Sequence, residues 1–482
     1  MTTEMLGIFS IASSFFGVLT TIVCSGISIT IARFVSINHD HGNYRKNDSI
    51  ISSSLIVTIT LSIILGLSVI VGKNIFVKIL SDIDCYLLLI CSIPALIICG
   101  FYTPFKSYLL GREKYFESSL VELVEQILRI IVCFIIFVFC KQLSVLYAPI
   151  VALNIAALLS TILGIFYYFK CGGRLSKRNL QFKPLISKST PITIVKMLST
   201  LLMPVVTIIL PLRLVAAGMT SEMALSELGI ASGMTLPLLS IPGTIIGSLA
   251  VALIPQITTL YENKENNTIV RQIKSSYIFT IIVTMICIPP FITLGENICM
   301  FIFNNEYAGI LLAKASWVML PMGISQLSST ILNSMGYEKK TFKYYLISSI
   351  FLLLGVWILP KYIGVESVIW ALGISSLVVA ILNTYKINSL IGYKLNILKP
   401  LIISILIALP ITLLSIYIKN IFSMFTSNIF VIIISSIISI VCYLSLLIAF
   451  GVVKLELIKE KLYSFRIFKK KIFNTKLEYK NN

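Results

Sequence analysis

The sequence predicts an all-α polytopic membrane protein of about 13 transmembrane helices, arranged as two pseudo-symmetric six-helix lobes, the first of which lacks one helix, followed by two further helices. Composition is the first observation behind this prediction: 57% of the residues are hydrophobic and 12% are charged. Soluble proteins are about 45–50% apolar and about 25% charged. The second observation is a series of long apolar runs, and the third is an internal repeat.

The composition excludes a water-soluble enzyme, a disordered chain and a secreted disulfide scaffold. The 482 residues carry a net charge of +19, which in a soluble protein would suggest nucleic-acid binding. Here the positions of the cations indicate membrane topology instead, and we expect no nucleic-acid partner. The ten cysteines form no CxxC pair, so we expect no metal site and no cofactor.

A membrane-spanning helix needs roughly 20 apolar residues, and the chain contains thirteen such runs, named A to M here. In order, they cover residues 7–33, 50–71, 85–105, 118–140, 146–169, 191–212, 228–258, 276–295, 309–335, 344–360, 363–385, 400–418 and 426–452. Pro237 and Pro242 lie within run G, and Pro289 and Pro290 lie within run H. Because proline removes a backbone donor, we expect kinks there. Such kinks line transport paths in some proteins and reflect ordinary membrane packing in others.

The cations predict an orientation. Alternate connections, beginning with A–B and ending with the C-terminal tail, hold 29 Lys and Arg residues, whereas the other side holds 7. Cytoplasmic loops are enriched in Lys and Arg. We therefore expect a multi-pass protein of the cell membrane with a cytoplasmic C-terminus.

Similar segments recur about 220–227 residues apart. Residues 111–116 before run D match 336–342 before run J, 28–32 in run A match 248–252 in run G, and Pro94 in run C matches Pro321 in run I. This pairs A–E with G–K and leaves F without a partner. We therefore expect that the native unit has one more helix before run A, a first helix missing from this chain.

The repeat predicts five segments. They are an N-terminal lobe lacking one helix, a cytoplasmic amphipathic linker, a C-terminal lobe, two additional helices and a basic cytoplasmic tail. Their residues are 1–169, 170–190, 191–388, 389–452 and 453–482. Within the linker, residues 174–183 are predicted to form an interfacial helix.

Two segments resemble a known family. Residues 210–255 and 109–132 are similar to the corresponding regions of the stage V sporulation protein B-like polysaccharide transporters, relatives of the MurJ-type flippases in the multidrug/oligosaccharidyl-lipid/polysaccharide exporter superfamily. The resemblance implies two lobes around a central cavity. It also implies flipping of undecaprenyl-diphosphate-linked saccharides, lipid II above all, with a role in spore-cortex peptidoglycan. The family's first-helix arginines have no counterpart here, and run F holds no Asp or Glu for a sodium site.

Ionisable residues at membrane depth are candidates for the site. Arg129 lies near the middle of run D, and Glu125 precedes it by one helical turn, so the two can pair. Glu122 lies on the same face nearer the cytoplasmic end. An arginine suits a diphosphate because its planar guanidinium donates two hydrogen bonds. The alternative is a structural ion pair between helices.

Three further cations are candidates for contacts with the diphosphate or saccharide. Arg33 ends run A, Lys196 lies one turn into run F, and Arg213 follows run F. Each has a plain alternative, namely a topogenic anchor for Arg33, a snorkelling side chain for Lys196 and an interfacial cap for Arg213.

The sequence contains no nucleophile–base pair and no phosphate-binding loop, so we expect a transporter and not an enzyme. Its expected partners are the lipid-linked saccharide and membrane lipid, with cell-wall synthases as further candidates, and the expected state is a monomer. Two alternatives stay open: a drug/cation antiporter of the same superfamily and a non-transporting cell-wall scaffold.

Overall fold

The computed structural model describes residues 2–40, 44–80, 82–139, 145–176, 180–393, 395–423 and 428–451. Every regular element in these ranges is a helix, which confirms the all-α prediction. The chain divides into two compact units. The first comprises Met1–Gly233 with Leu353–Ser367, and the second comprises Met234–Leu352 with Val368–Asn482.

The first half of the chain forms eleven α-helices and one π-helical segment. They are α1 Thr3–Thr20, the π-helix Thr21–Ser25, α2 Gly26–Asp40, α3 Tyr44–Val71, α4 Lys73–Leu80, α5 Ile83–Cys91, α6 Ile93–Gly111, α7 Tyr115–Phe139, α8 Ala148–Lys170, α9 Phe182–Thr200, α10 Leu202–Ala216 and α11 Ser221–Gly229.

The second half begins with another π-helix and ends with two long helices. Its elements are the π-helix Ile230–Thr235, α12 Leu236–Leu239, α13 Ile241–Glu262, α14 Asn266–Phe303, α15 Glu306–Ala315, the 3₁₀ turn Ser316–Val318, α16 Met319–Ser334, α17 Glu338–Ile358, α18 Pro360–Ile363, α19 Glu366–Ile391, α20 Leu398–Ser423 and α21 Asn428–Ala449.

Within the described residues, 12 helical stretches are long and apolar enough to cross a membrane. They correspond to twelve of the thirteen predicted runs. The remaining run, D, is α7, which is long enough to span but carries Glu122, Glu125 and Arg129. The prediction of a multi-span helical protein is therefore confirmed.

Polar side chains fix several helix starts. Thr2, Asp82, Thr220 and Asn305 each accept a hydrogen bond from a backbone amide in the first turn of the following helix. An N-cap of this kind satisfies a backbone donor that has no partner inside the helix, and contributes about 1 kcal/mol. Each of these four helices therefore begins directly after a residue whose side chain stabilises a helix start.

The two predicted proline sites differ in structure. Run G is broken at Ser240, between α12 and α13, with Pro242 in the first turn of α13. Run H is different, since Pro289 and Pro290 lie inside α14, which continues from Asn266 to Phe303. The prolines of run H therefore do not end the helix, and a kink at this point stays a prediction.

The connection before α9 departs from the predicted interfacial helix over 174–183. Residues 173–176 and 180–181 are not helical, residues 177–179 lie outside the described residues, and α9 begins at Phe182. Polar groups on α3 hold this connection. Asp48 accepts from the Arg174 amide at 3.3 Å, and Ser53 accepts from the Gln181 amide at 2.7 Å. These side-chain acceptors compete with helix formation by taking up the backbone donors.

Close backbone packing joins α1 to α11 in the first unit. A Cβ atom on Gly229 would collide with the Thr3 carbonyl oxygen and lie 2.7 Å from the Gly7 amide nitrogen. The Ser226 hydroxyl donates to Thr3 Oγ1 at 2.6 Å across the same contact. Small residues with interhelical hydroxyl bonds are typical of helix packing in membranes.

Within the first unit, helix α10 packs against α1, and helix α9 packs against the first π-helix. The hydroxyls of Ser14 and Thr207 lie 3.1 Å apart, and those of Thr21 and Thr200 lie 3.3 Å apart.

The lobe boundaries predicted from the repeat stay a prediction, because the two compact units are defined by contacts and the predicted lobes by duplication. The predicted basic tail, 453–482, lies outside the described residues.

The second unit holds α20 against α14 by polar contacts. Thr293 Oγ1 lies 2.7 Å from Ser415 Oγ in a buried position. Lys419 Nζ donates to the Thr293 carbonyl at 3.1 Å and lies 3.8 Å from Glu296. Helix α20, the first of the two predicted additional helices, is therefore held against α14 of the second unit by hydrogen bonds and an ion pair.

Candidate cavity of the first unit

A cavity of about 950 Å³ lies inside the first unit. Side chains from α1, the first π-helix, α5, α6, α7 and α8 line it. Ligand pockets of about 300–1,000 Å³ are typical of small-molecule sites. The cavity therefore has the size of a binding site, and all of its walls belong to one compact unit.

Two ion pairs place charge in this cavity. Arg129 Nη2 lies 2.8 Å from Glu125 Oε1, one turn apart on α7. Lys106 of α6 pairs with Glu122 of α7. Lys106, Glu125 and Arg129 line the cavity directly. The two cations and two carboxylates leave the cluster with no net formal charge.

The cluster reaches deep into the span. Arg129 lies about 21 Å from the start of α7 at 1.5 Å per residue. A charged group at that depth is costly unless it is paired. The Arg129 side chain is nevertheless 36% exposed, so its charge faces open space as well as Glu125.

Two polar atoms in the cluster lack hydrogen-bond partners within the described part of the chain. They are Arg129 Nε and the Tyr102 hydroxyl, and both are buried. Both groups are donors, and an unpaired buried donor costs about 1–3 kcal/mol. An acceptor-rich anionic group in the cavity would satisfy them.

The remaining lining is mainly apolar. It includes four phenylalanines, two of them on α1 and two on α7: Phe9, Phe16, Phe134 and Phe137. Three thiols also line the cavity, one on the π-helix, one on α6 and one on α7: Cys24, Cys99 and Cys133. The cavity thus combines a charged polar cluster with an apolar wall.

The structure separates the predicted site residues into two groups. Arg129, Glu125 and Glu122 come together around this cavity. Arg33 is exposed on α2 and Lys196 is exposed on α9, and neither lines the cavity.

Arg213 also lies elsewhere. Its Nε donates to the Trp357 carbonyl at 2.8 Å, and its guanidinium lies 4.7 Å from the centre of the Trp357 ring. These contacts join the end of α10 to the end of α17, and the interfacial cap stays a prediction.

Sequence reasoning missed Lys106 and Tyr102. Lys106 follows directly after the predicted end of run C, so the sequence places it among the connecting cations. In the structure α6 continues to Gly111, which puts Lys106 inside the span. The spacing Tyr102–Lys106, one helical turn, was the available signal.

The fold and the cavity together define a multi-pass membrane protein whose first compact unit encloses a charged cavity. The family of polysaccharide biosynthesis proteins matches residues 1–261. The chain belongs to this family.

A named relative agrees with this assignment. Stage V sporulation protein B of Bacillus subtilis (strain 168) is 24% identical over 278 residues, which cover 54% of this chain and 53% of that protein. The match therefore spans about half the length of the curated relative. The sequence resemblance to this family is confirmed.

Solved structures show the same fold. The inward closed lipid II flippase MurJ has a TM-score of 0.72 at 16% identity, covering 93% of each chain. An inward-facing multidrug resistance MATE family transporter of the MOP superfamily has a TM-score of 0.69 at 12% identity, covering 81% of this chain and 92% of that one. At these identities the likeness establishes the fold alone.

Proposed function

We propose that this protein flips an undecaprenyl-diphosphate-linked saccharide, lipid II or a related cell-wall or polysaccharide precursor, across the cytoplasmic membrane by alternating access. It acts as a transporter without cofactor or catalytic residue. Spore-cortex peptidoglycan is one destination consistent with the stage V sporulation relative.

The observation that carries this proposal is the cluster of Lys106, Arg129 and Tyr102 in a cavity whose remaining lining is mainly apolar. A lipid diphosphate offers several acceptor oxygens next to a hydrocarbon chain. Arg129 can donate through the unpaired Nε as well as through its terminal nitrogens. The mainly apolar wall suits the first isoprenyl units of the lipid.

Glu122 and Glu125 have a definite role in this proposal. With no cargo present they neutralise Lys106 and Arg129. The incoming diphosphate replaces the carboxylates as the partner of the cations, so Lys106 and Arg129 have an anionic partner in either state. Lobe rocking then exposes the cavity to the opposite side.

The test measures the sidedness of lipid-linked precursors in cells depleted of the protein, using an external enzyme that acts only on exposed head groups. We expect precursor to accumulate on the cytoplasmic side, and the wild-type gene to restore export. Arg129→Ala should fail to restore it. Lys361→Ala, which removes an exposed cation on α18, should restore it fully.

Other results would favour the alternatives. Unchanged sidedness in depleted cells with increased drug sensitivity would favour an antiporter. Rescue by Arg129→Ala would exclude its role in cargo binding. Recovery by Glu125→Ala/Arg129→Ala after failure of Arg129→Ala would identify the pair as structural.

A further inference from the structure

The second unit contains a separate pocket at the break in run G. Its volume is about 450 Å³, and it lies between the start of α13, α16 and α19. Ser376 of α19 lines it, about 15 Å from the start of that helix and about 22 Å from its end. The pocket is therefore inside the membrane-spanning part of the unit. Broken helices at this depth often form substrate sites in transporters.

Among the described residues, the lining combines a mainly apolar surface with five polar side chains and no charged one. It presents four hydroxyls and one amide: Ser240, Thr244, Ser325, Ser376 and Gln326. The first three hydroxyls donate to carbonyls three residues earlier in their own helices, at 2.7–2.8 Å. Since their protons are used within the helices, their oxygens are left as acceptors for a bound group.

Two glycines of α13 give the amide of Gln326 its place. A Cβ on Gly247 would lie 2.9 Å from Gln326 Nε2, and a Cβ on Gly243 would lie 3.4 Å from Oε1. A side chain at 247 would push the amide into the pocket or fill the space itself. The amide offers two donors and one acceptor.

We propose that this pocket binds a sugar of the lipid-linked cargo, with Gln326 as a specificity-determining residue. Sugar hydroxyls donate to the helix hydroxyl oxygens, while an N-acetyl group or a further hydroxyl pairs with the amide of Gln326. An uncharged, acceptor-rich pocket suits a saccharide and disfavours a diphosphate, which needs cations. This inference rests on the proposed function and assigns a separate contact for the saccharide.

The experiment titrates the full-length purified protein with two lipids. One is undecaprenyl diphosphate bearing an N-acetylated disaccharide, and the other is undecaprenyl diphosphate without sugar. We expect the wild type to prefer the glycosylated lipid. Gln326→Ala should reduce that preference about tenfold, the size of one lost hydrogen bond that leaves a partner unpaired. Its affinity for the sugar-free lipid should not change.

Two further variants control the measurement. Gly247→Val fills the pocket without removing the amide and should reduce the preference in the same way. Gln256→Ala removes a glutamine of α13 outside the pocket and should leave the preference unchanged. Melting curves establish that all variants are folded.

The failures are distinguishable. If the wild type binds neither lipid, the proposed function fails. If it binds both lipids equally, or if Gln326→Ala and Gly247→Val both keep the full preference, the saccharide pocket is excluded while the flippase proposal stands.

Discussion

Lys106 and Arg129 are the two cations of the first-unit cavity, and each is opposed by a carboxylate of α7. A membrane-embedded arginine without a partner is expensive, so pairing alone explains why these groups are tolerated. The remaining polarity, at Arg129 Nε and the Tyr102 hydroxyl, is what a purely structural pair leaves unexplained. If these donors bind a diphosphate, removing the carboxylate that competes for Arg129 should raise the affinity for that diphosphate.

Glu125→Gln should strengthen binding of undecaprenyl diphosphate. The substitution frees Arg129 from a partly exposed ion pair worth about 0.5–1 kcal/mol, so the affinity should rise about two- to fivefold. Titration of the purified protein measures this. Glu306→Gln, at an exposed acid in the first turn of α15, should have no effect. Unchanged or weaker binding by Glu125→Gln would contradict displacement of the carboxylate by the diphosphate.

At the scale of elements, the cavity brings together helices that are separated in sequence. The rate at which its native thiols react with a reagent can show whether a lipid occupies it. Cys99 and Cys133 line it from α6 and α7, whereas Cys85 and Cys299 are buried. Buried thiols are shielded from aqueous reagents.

A charged thiosulfonate reagent should therefore modify Cys99 or Cys133 in protein held in lipid nanodiscs, and leave Cys85 and Cys299 unmodified. Undecaprenyl diphosphate should slow the modification, because it occupies the same space. Peptide mass spectrometry gives the extent at each position. Equal modification with and without the lipid would argue against cargo in this cavity.

The contact between α1 and α11 is a second element-scale feature, and it depends on glycine backbones. Gly229→Ala should destabilise the protein by about 1–3 kcal/mol, because the new methyl group collides with the backbone near Thr3. Gly17→Ala provides the matched control, since nothing lies within 4 Å of its Cβ. That variant should be neutral or slightly stabilising, as alanine favours helices by up to about 1 kcal/mol.

Thermal unfolding in one detergent compares these two variants. A Gly229→Ala variant as stable as the Gly17→Ala variant would mean that α1 and α11 can separate at little cost.

For the whole molecule, the strongest prediction concerns orientation. The 29-to-7 distribution of Lys and Arg predicts that the C-terminal tail is cytoplasmic. An alkaline phosphatase fusion after residue 451 should be inactive, and a fusion within the connection at Lys361 should be active. A green fluorescent protein fusion after residue 451 should fluoresce. The reversed pattern would overturn the predicted cytoplasmic C-terminus.

The sequence alone determined the helical class and the positions of the spans, because hydropathy acts locally along the chain. Proline by itself did not decide which run breaks, since run G is broken at Ser240 whereas Pro289 and Pro290 lie inside α14. It also pointed to α7, since three ionisable residues within one apolar run are conspicuous. The tertiary structure decided which charges meet. In sequence, Lys106 resembles a cation of the connection between two runs. In the structure, α6 continues past it, and its side chain pairs with Glu122. The space around the Gln326 amide exists because Gly243 and Gly247 of another helix, α13, lie next to it. Contacts between helices depend on packing in three dimensions, and no periodicity within a single run specifies them.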